Sequence, residues 1–388
     1  VATLYTSTFT RPHTLSRIDP ALLRNFLNRF EDFLLNRGVQ LDDDLDLSLI
    51  GRILMEPGPD TPRELIDALF AIKAMSVPSA LAAVDEEARR LGIPVAGEIT
   101  QAEIALRLWM TDPEALLEKH AELTMLRVRS FQYFSAMDEE EVTYPTDQTL
   151  QSMERALDIF FNSKGHGRGT QVHVYPRGHE MWFLIRRGDR FRREATLDNG
   201  ESGSIGFRPE KCDVVVFNQL TNEIGINAPT EAIQYEYRKQ FGFYLFGRDN
   251  YFAGASKYSL EPLRELGEEA LNVIDVPGIQ WIKLTELQAS VMRFDEELIT
   301  RKARDLFATF RYDNFRIPAD WRLKRATFKV RFDDNPTARS VTVKQPNVAR
   351  YTRDSDATLV EEWLMRRGFI EEGQIDGSNQ NEFRFSVP

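Results

Sequence analysis

The hydrophobic pattern changes period near residue 163. Before that point apolar residues recur three and four apart, as on one face of a helix. Leu22, Leu23, Phe26, Leu27, Phe30, Phe33 and Leu34 form one such stripe, opened by Asp19-Pro20 and closed by Gly38. An aspartate there caps free amides, a proline fits the first helical position, and a glycine permits a left-handed exit. Thr61-Pro62-Arg63-Glu64 and Thr100-Gln101-Ala102-Glu103 read as capping boxes, in which hydroxyl and carboxylate satisfy free amides reciprocally. Asp112-Pro113 opens a helix through Leu116, Leu117 and His120, and another is expected over Leu150 to Phe161. Residues 1–163 therefore read as an all-α domain of six to eight helices.

Beyond the glycine-rich segment Gly165-His166-Gly167-Arg168-Gly169 the period becomes two. Gln171 to Pro176 alternates, Met181 to Arg187 is almost continuously apolar, and Phe191 to Leu197 alternates again. Asp198-Asn199-Gly200 is a tight-turn signal, and Ser204 to Arg208, Asp213 to Phe217 and Glu223 to Asn227 follow at short intervals. Strands so closely spaced imply an antiparallel meander, because parallel pairing needs long crossovers. An aromatic-rich helix is expected from Thr230 to Phe246, a strand from Gly278 to Leu287, and an amphipathic helix from Glu296 to Phe310. Ala326 to Phe332 and Ser340 to Lys344 read as a hairpin, Ala357 to Arg367 as a helix stopped by Gly368, and Glu382 to Val387 as an edge strand after a loose segment.

The fold class is thus α+β: an all-α N-terminal domain, then an antiparallel β-rich region of meander plus helices. The expected division is a helical domain over 1–163, a β-meander with its helix over 170–255, and a mixed region over 256–388. The last two either stand apart or form one domain, and a hinge is expected at 163–170.

Composition adds three constraints. The 388 residues are 42% hydrophobic and 28% charged, which excludes a disordered or collagen-like chain. A single cysteine, Cys212, allows no intrachain disulfide and favours a reducing compartment. With no signal-like N-terminus and no run of 18 apolar residues, a cytoplasmic protein without a membrane partner is expected. The net charge of −11 is unevenly spread. Residues 1–163 carry 15 basic and 27 acidic side chains, whereas residues 301–350 carry 13 and 5, so an anionic partner for the β-rich region is not excluded.

That basic excess carries the main functional expectation. Arg186, Arg187, Arg190, Arg192 and Arg193 cluster at one hairpin end, and a second basic stretch runs from Arg316 to Arg353 with Phe315, Trp321 and Tyr351 interleaved. Within Ala326 to Phe332, alternation puts Thr327, Lys329 and Arg331 on one face and Phe328, Val330 and Phe332 on the other. A sheet with a basic outer face can hold phosphates while aromatics stack on bases. The leading expectation is an intracellular binding protein that contacts nucleic acid through Arg186, Arg187, Arg192, Arg193, Lys329 and Arg331, and a protein partner through its helices. The alternative is a metal-dependent phosphodiester hydrolase using Asp213 and Glu223, with Glu180 as a third carboxylate. The lysine such sites place two positions past the second carboxylate is replaced by Gly225. His166, His173 and His179 fall within 14 residues and are candidate metal ligands, although their spacing matches no usual zinc pattern. The acidic runs Asp42-Asp43-Asp44 and Asp138-Glu139-Glu140-Glu141 lack the alternation of a calcium loop. No motif assigns a cofactor or a reaction.

Overall fold

The computed structural model describes residues 9–370, apart from 43, 59, 96–98, 137, 139, 141, 199, 293–294 and 354–355. The expected strand over Glu382 to Val387 and the loose segment before it lie outside the described residues, as do parts of both acidic runs. The architecture is α+β, with helices gathered towards the N-terminus and strands towards the C-terminus. No single helix among the described residues is long and apolar enough to cross a membrane.

The chain divides into two compact units, Val1–Thr124 and Met125–Pro388. The first is helical: α1 (Pro12–Leu15), α2 (Pro20–Asn28), α3 (Glu31–Asn36), α4 (Leu47–Met55), α5 (Arg63–Met75), α6 (Leu81–Arg90), α7 (Gln101–Thr111) and α8 (Pro113–Leu126), the last ending just beyond the division. Asp19 caps α2 as expected, accepting from the amides of Ala21 and Leu22. The long stripe breaks into α2 and α3 around Arg29 and Phe30, where the rings of Phe26 and Phe30 meet edge to face. Thr61 does not cap α5; its hydroxyl accepts from Gly58, and Pro62 precedes the helix without a side-chain cap. Thr100 does cap α7, but Glu103 turns to Arg107 and to the amide of Asp19 instead of closing the box.

The second unit begins earlier than the change of period suggested. Ser130–Ser135 is a strand, β1, and α9 (Asp147–Ser163) follows it. The buried side chains of α9, Met153, Leu157 and Phe161, pack with strand residues and not with the first unit's helices. Next come β2 (Gln171–Arg177), β3 (Glu180–Gly188), β4 (Arg192–Asp198), β5 (Glu201–Phe207), β6 (Glu210–Asn218), β7 (Glu223–Asn227) and α10 (Glu231–Phe246). The remainder is α11 (Pro262–Glu265), β8 (Ile279–Met292), β9 (Glu296–Lys302), α12 (Leu306–Tyr312), β10 (Trp321–Phe332), β11 (Arg339–Lys344), β12 (Val348–Arg350) and α13 (Ala357–Arg366). The helix expected over Glu296 to Phe310 is therefore a strand followed by a short helix. Leu298, Thr300 and Lys302 alternate with Ile299 and Arg301 in register with β8, and Asp305 caps the helix.

Ten strands form one antiparallel sheet in the order β2-β3-β6-β7-β1-β12-β11-β10-β8-β9, while β4 and β5 make a separate hairpin. The meander is thus real but interrupted between β3 and β6, and strands of the two expected C-terminal regions share a single sheet. β1 joins the halves. Successive strand residues point to opposite faces, and Phe134 enters the core under α9 and α10 while Tyr133 packs against a second core built on β8, β10, β11 and α13. The two cores consequently cover opposite faces of one sheet. On the β8–β12 half the face away from the core is exposed at Lys329, Lys344 and Arg350, whereas on the other half Trp182, Leu184, Val214 and Val216 are buried on the face away from α9 and α10.

The segment expected to be a hinge is a tied turn between α9 and β2. Gly165, Gly167 and Gly169 take positive φ, a conformation that side chains disfavour. The turn is then held by Arg208, whose Nη1 donates to the Gly165 carbonyl at 2.6 Å, and by Asp158, whose carboxylate accepts from the amides of Gly169 and Thr170. Burial raises the Asp158 carboxyl, but the hydrogen bonds from Thr170 and Gly169 and the charge of Arg168 outweigh it, holding the group below its ordinary value of 3.8. A depressed carboxyl stabilises the fold above the ordinary value, and that stability is lost as pH falls through the depressed one. Asp158→Asn is accordingly expected to be less stable than the parent near neutral pH. Equilibrium unfolding across a pH series should show the gap closing as the pH drops below 3.8; a gap that persists in acid would contradict this role.

Candidate nucleic-acid interface

On β10 the inward positions Ala326, Phe328, Val330 and Phe332 are buried in the second core, so Thr327, Lys329 and Arg331 face away from it. Cross-strand register extends this outer face over its neighbours. Lys329 lies between Lys283 of β8 and Ser340 of β11, Arg331 lies beside Trp281, and Arg325 lies between Gln288 and Lys344. Arg350 of β12 is opposite Thr342, and Lys302 of β9 is opposite Glu286. Seven basic side chains thus share the five-stranded face around one central carboxylate, Glu286.

That carboxylate serves only part of the set. Lys302 reaches Glu286 at 3.0 Å and Arg325 at 3.5 Å, and Lys283 reaches Asp305 at 3.2 Å. Lys329, Lys344 and Arg350 are exposed and have no ion pair among the described residues. Trp281 is 37% exposed, with the Lys283 ammonium 5.6 Å from its ring centre. Unpaired cations in adjacent rows raise the local potential, which the overall negative charge opposes only weakly beyond a Debye length. The expected stacking aromatics are elsewhere: Trp321 and Tyr351 are buried, and Phe315 packs against the core. The exposed aromatic ring on this face is Trp281, opposite Arg331. The sequence signal for it was the alternation Gln280-Trp281-Ile282-Lys283-Leu284, but its neighbourhood with β10 depends on long-range register.

The residues of the first arginine cluster are dispersed, and three of them are engaged by carboxylates. Arg186 is engaged by Glu210 through two hydrogen bonds of 3.1 and 2.9 Å, and Arg192 by Asp189 at 2.7 Å. Arg187 is 3% exposed and points under α9 and α10. Its Nε donates to Asp213 at 2.6 Å, its guanidinium lies 4.9 Å from the Phe161 ring centre, and the Tyr237 hydroxyl donates to the same carboxylate at 2.7 Å. Burial, with Asp213 beside it, pushes the Tyr237 hydroxyl well above its ordinary value. Arg193 is exposed on the β4–β5 hairpin, away from the ten-stranded sheet.

The same geometry disperses the hydrolase residues. Asp213 belongs to the buried ion pair, whereas register places Glu223 beside Asn218 on the opposite face of the sheet. Glu180 shares Glu223's face but sits two strands away, with Asn218 between them, and it accepts hydrogen bonds from Trp182 and Asn218. Two strand spacings are about 9.5 Å, more than one ion spans. Glu223 is also paired with Lys257. His166 lies in the tied turn with Nδ1 3.2 Å from Arg187, while His173 on β2 and His179 in the β2–β3 turn are exposed. Among the described residues no three His, Cys, Asp or Glu side chains come together to hold a metal ion. No family model matches the chain, and no curated protein matches it either.

Proposed function

We propose that the protein binds nucleic acid through the outer face of β8–β12, with Lys329, Lys344 and Arg350 neutralising phosphates and Trp281 available for stacking. The observation that carries this reading is the set of exposed cations, unpaired among the described residues, on one sheet face with a partly exposed tryptophan. Arg331 and Lys283 contribute at the edge of the same patch. Phosphate contacts set affinity through release of condensed counterions, so binding of this kind weakens steeply with salt.

Fluorescence anisotropy with labelled single-stranded DNA, duplex DNA and RNA across a salt series tests the reading. With three to four phosphate contacts, log Kobs should fall against log salt with a slope of roughly −2 to −4. A flat salt response, or no binding of any of the three at low salt, would contradict it. Stacking through Trp281 further predicts tighter binding of single strands than of duplex, whose bases are already stacked.

A further inference from the structure

The opposite face of the sheet holds a second constellation, beside the end of the second core at β1 and β7. Gly225 forms its floor. A Cβ there would lie 3.1 Å from Tyr133 and 3.4 Å from Phe131, so the missing side chain lets both rings lie close over the strand. Trp182 meets Phe131 edge to face at 6.0 Å. Into this aromatic cleft come Lys257, which lies between α10 and α11, Arg353 following β12, and Glu361 of α13.

The hydrogen-bonding groups around the cleft do not balance. Lys257 has three donor hydrogens and is bonded to Glu223. Among the described residues Arg353, 9% exposed, is paired with Glu361, at 3.4 Å through Nη1, and its Nε and Nη2 have no hydrogen-bond partner. The Tyr258 hydroxyl, in a residue 1% exposed, has none among them either, and the Tyr258 ring lies 6.0 Å from that of Tyr133. The acceptors are already engaged: Glu361 by Tyr351 and Arg353, Glu223 by Lys257, and Glu180 by Trp182 and Asn218. Buried donors without acceptors are costly, and several in one place point to a missing acceptor group. Three glutamates already outnumber the two cations, which disfavours phosphate, with two charges on one group, relative to a single carboxylate entering the cleft. A guanidinium matches the planar carboxylate bidentately.

We propose that this cleft binds the carboxylate of a small metabolite, with Arg353, Lys257 and Tyr258 as donors and Phe131 and Trp182 against the body of the molecule. This site is separate from the basic face and does not depend on it. Titration calorimetry with succinate, 2-oxoglutarate, L-glutamate and inorganic phosphate provides the test. Saturable binding of at least one of the acids is expected, stronger than that of phosphate; a preference for L-glutamate over 2-oxoglutarate would add Glu180 as the partner of its ammonium group. Arg353→Met should weaken binding about tenfold or more, and Tyr258→Phe about threefold. Tyr258→Phe removes a hydroxyl without a hydrogen-bond partner among the described residues, so it keeps the test decisive even where Arg353→Met unfolds the protein. Lys329→Glu should leave this binding unchanged. Failure of all three acids to bind, phosphate binding as tightly as they do, or unchanged affinity in Tyr258→Phe would overturn the proposal.

Discussion

Asp213→Ala is expected to destabilise the second unit by about 3–5 kcal/mol, the cost of leaving a buried charge without its partner. Arg187 is 3% exposed, and among the described residues Asp213 is its one carboxylate at bonding distance. With the aspartate gone, the guanidinium keeps a ring face and a carbonyl, Gly188 at 3.2 Å, but no counter-charge, and the Tyr237 hydroxyl loses its acceptor. Asp213→Asn should also be strongly destabilised, since it retains the shape but not the charge. Replacing both ends, with Arg187→Met and Asp213→Leu together, should recover much of the loss, because an apolar pair avoids desolvating two ions. Chemical unfolding followed by tryptophan fluorescence is suited to the measurement: Trp182, Trp281, Trp321 and Trp363 all lie in the second unit, against Trp109 alone in the first. A change in Asp213→Ala below about 1 kcal/mol would contradict the structural role and return the carboxylate to consideration as a ligand.

The contrast between Arg187 and Lys329 shows how far the sequence could be read. Both stand in alternating strands, and alternation alone correctly turns Lys329 away from Phe328 and Val330. For Arg187 the strand Met181 to Arg187 is buried on both faces, so period two carries no information about which side is wet. Only the arrival of Tyr237 and Phe161 from two helices decides it. The helical N-terminal unit was legible because its caps are local; Asp19 and Thr100 reach amides two and three residues away. β1 was missed because a lone six-residue strand between long helices has no hairpin partner nearby. Its neighbours, β7 and β12, are about ninety and more than two hundred residues downstream. Register is the common limit. That Lys283 adjoins Lys329, or that Asp213 and Glu223 face apart, follows from strand pairing that composition and spacing do not specify.

The cleft beside Gly225 illustrates the same point from the other side. In the sequence Gly225 stands where a hydrolase would place its lysine. In the folded chain a lysine does reach Glu223, but it is Lys257, thirty-four residues away, and it acts as an ion-pair partner within a cage of tyrosines. Tyr133, Tyr258 and Tyr351 come from three separated segments, so no window of sequence displays them together.

Reversing the charge on the outer face of β8–β12 tests its proposed role as the nucleic-acid surface most directly. Lys283→Glu, Lys329→Glu and Arg331→Glu are combined in one protein, with Arg186→Glu, on the other half of the sheet, as the control. All four positions are at least partly exposed, so the fold should tolerate the changes, and circular dichroism checks that it does. Each lost phosphate contact removes close to one unit of salt slope, and each introduced carboxylate adds repulsion. Affinity for single-stranded DNA at about 0.1 M salt should therefore drop on the order of a hundredfold or more in the triple variant and by less than about threefold in the control. Equal affinity in the triple variant and the parent, with the fold intact, would contradict the claim.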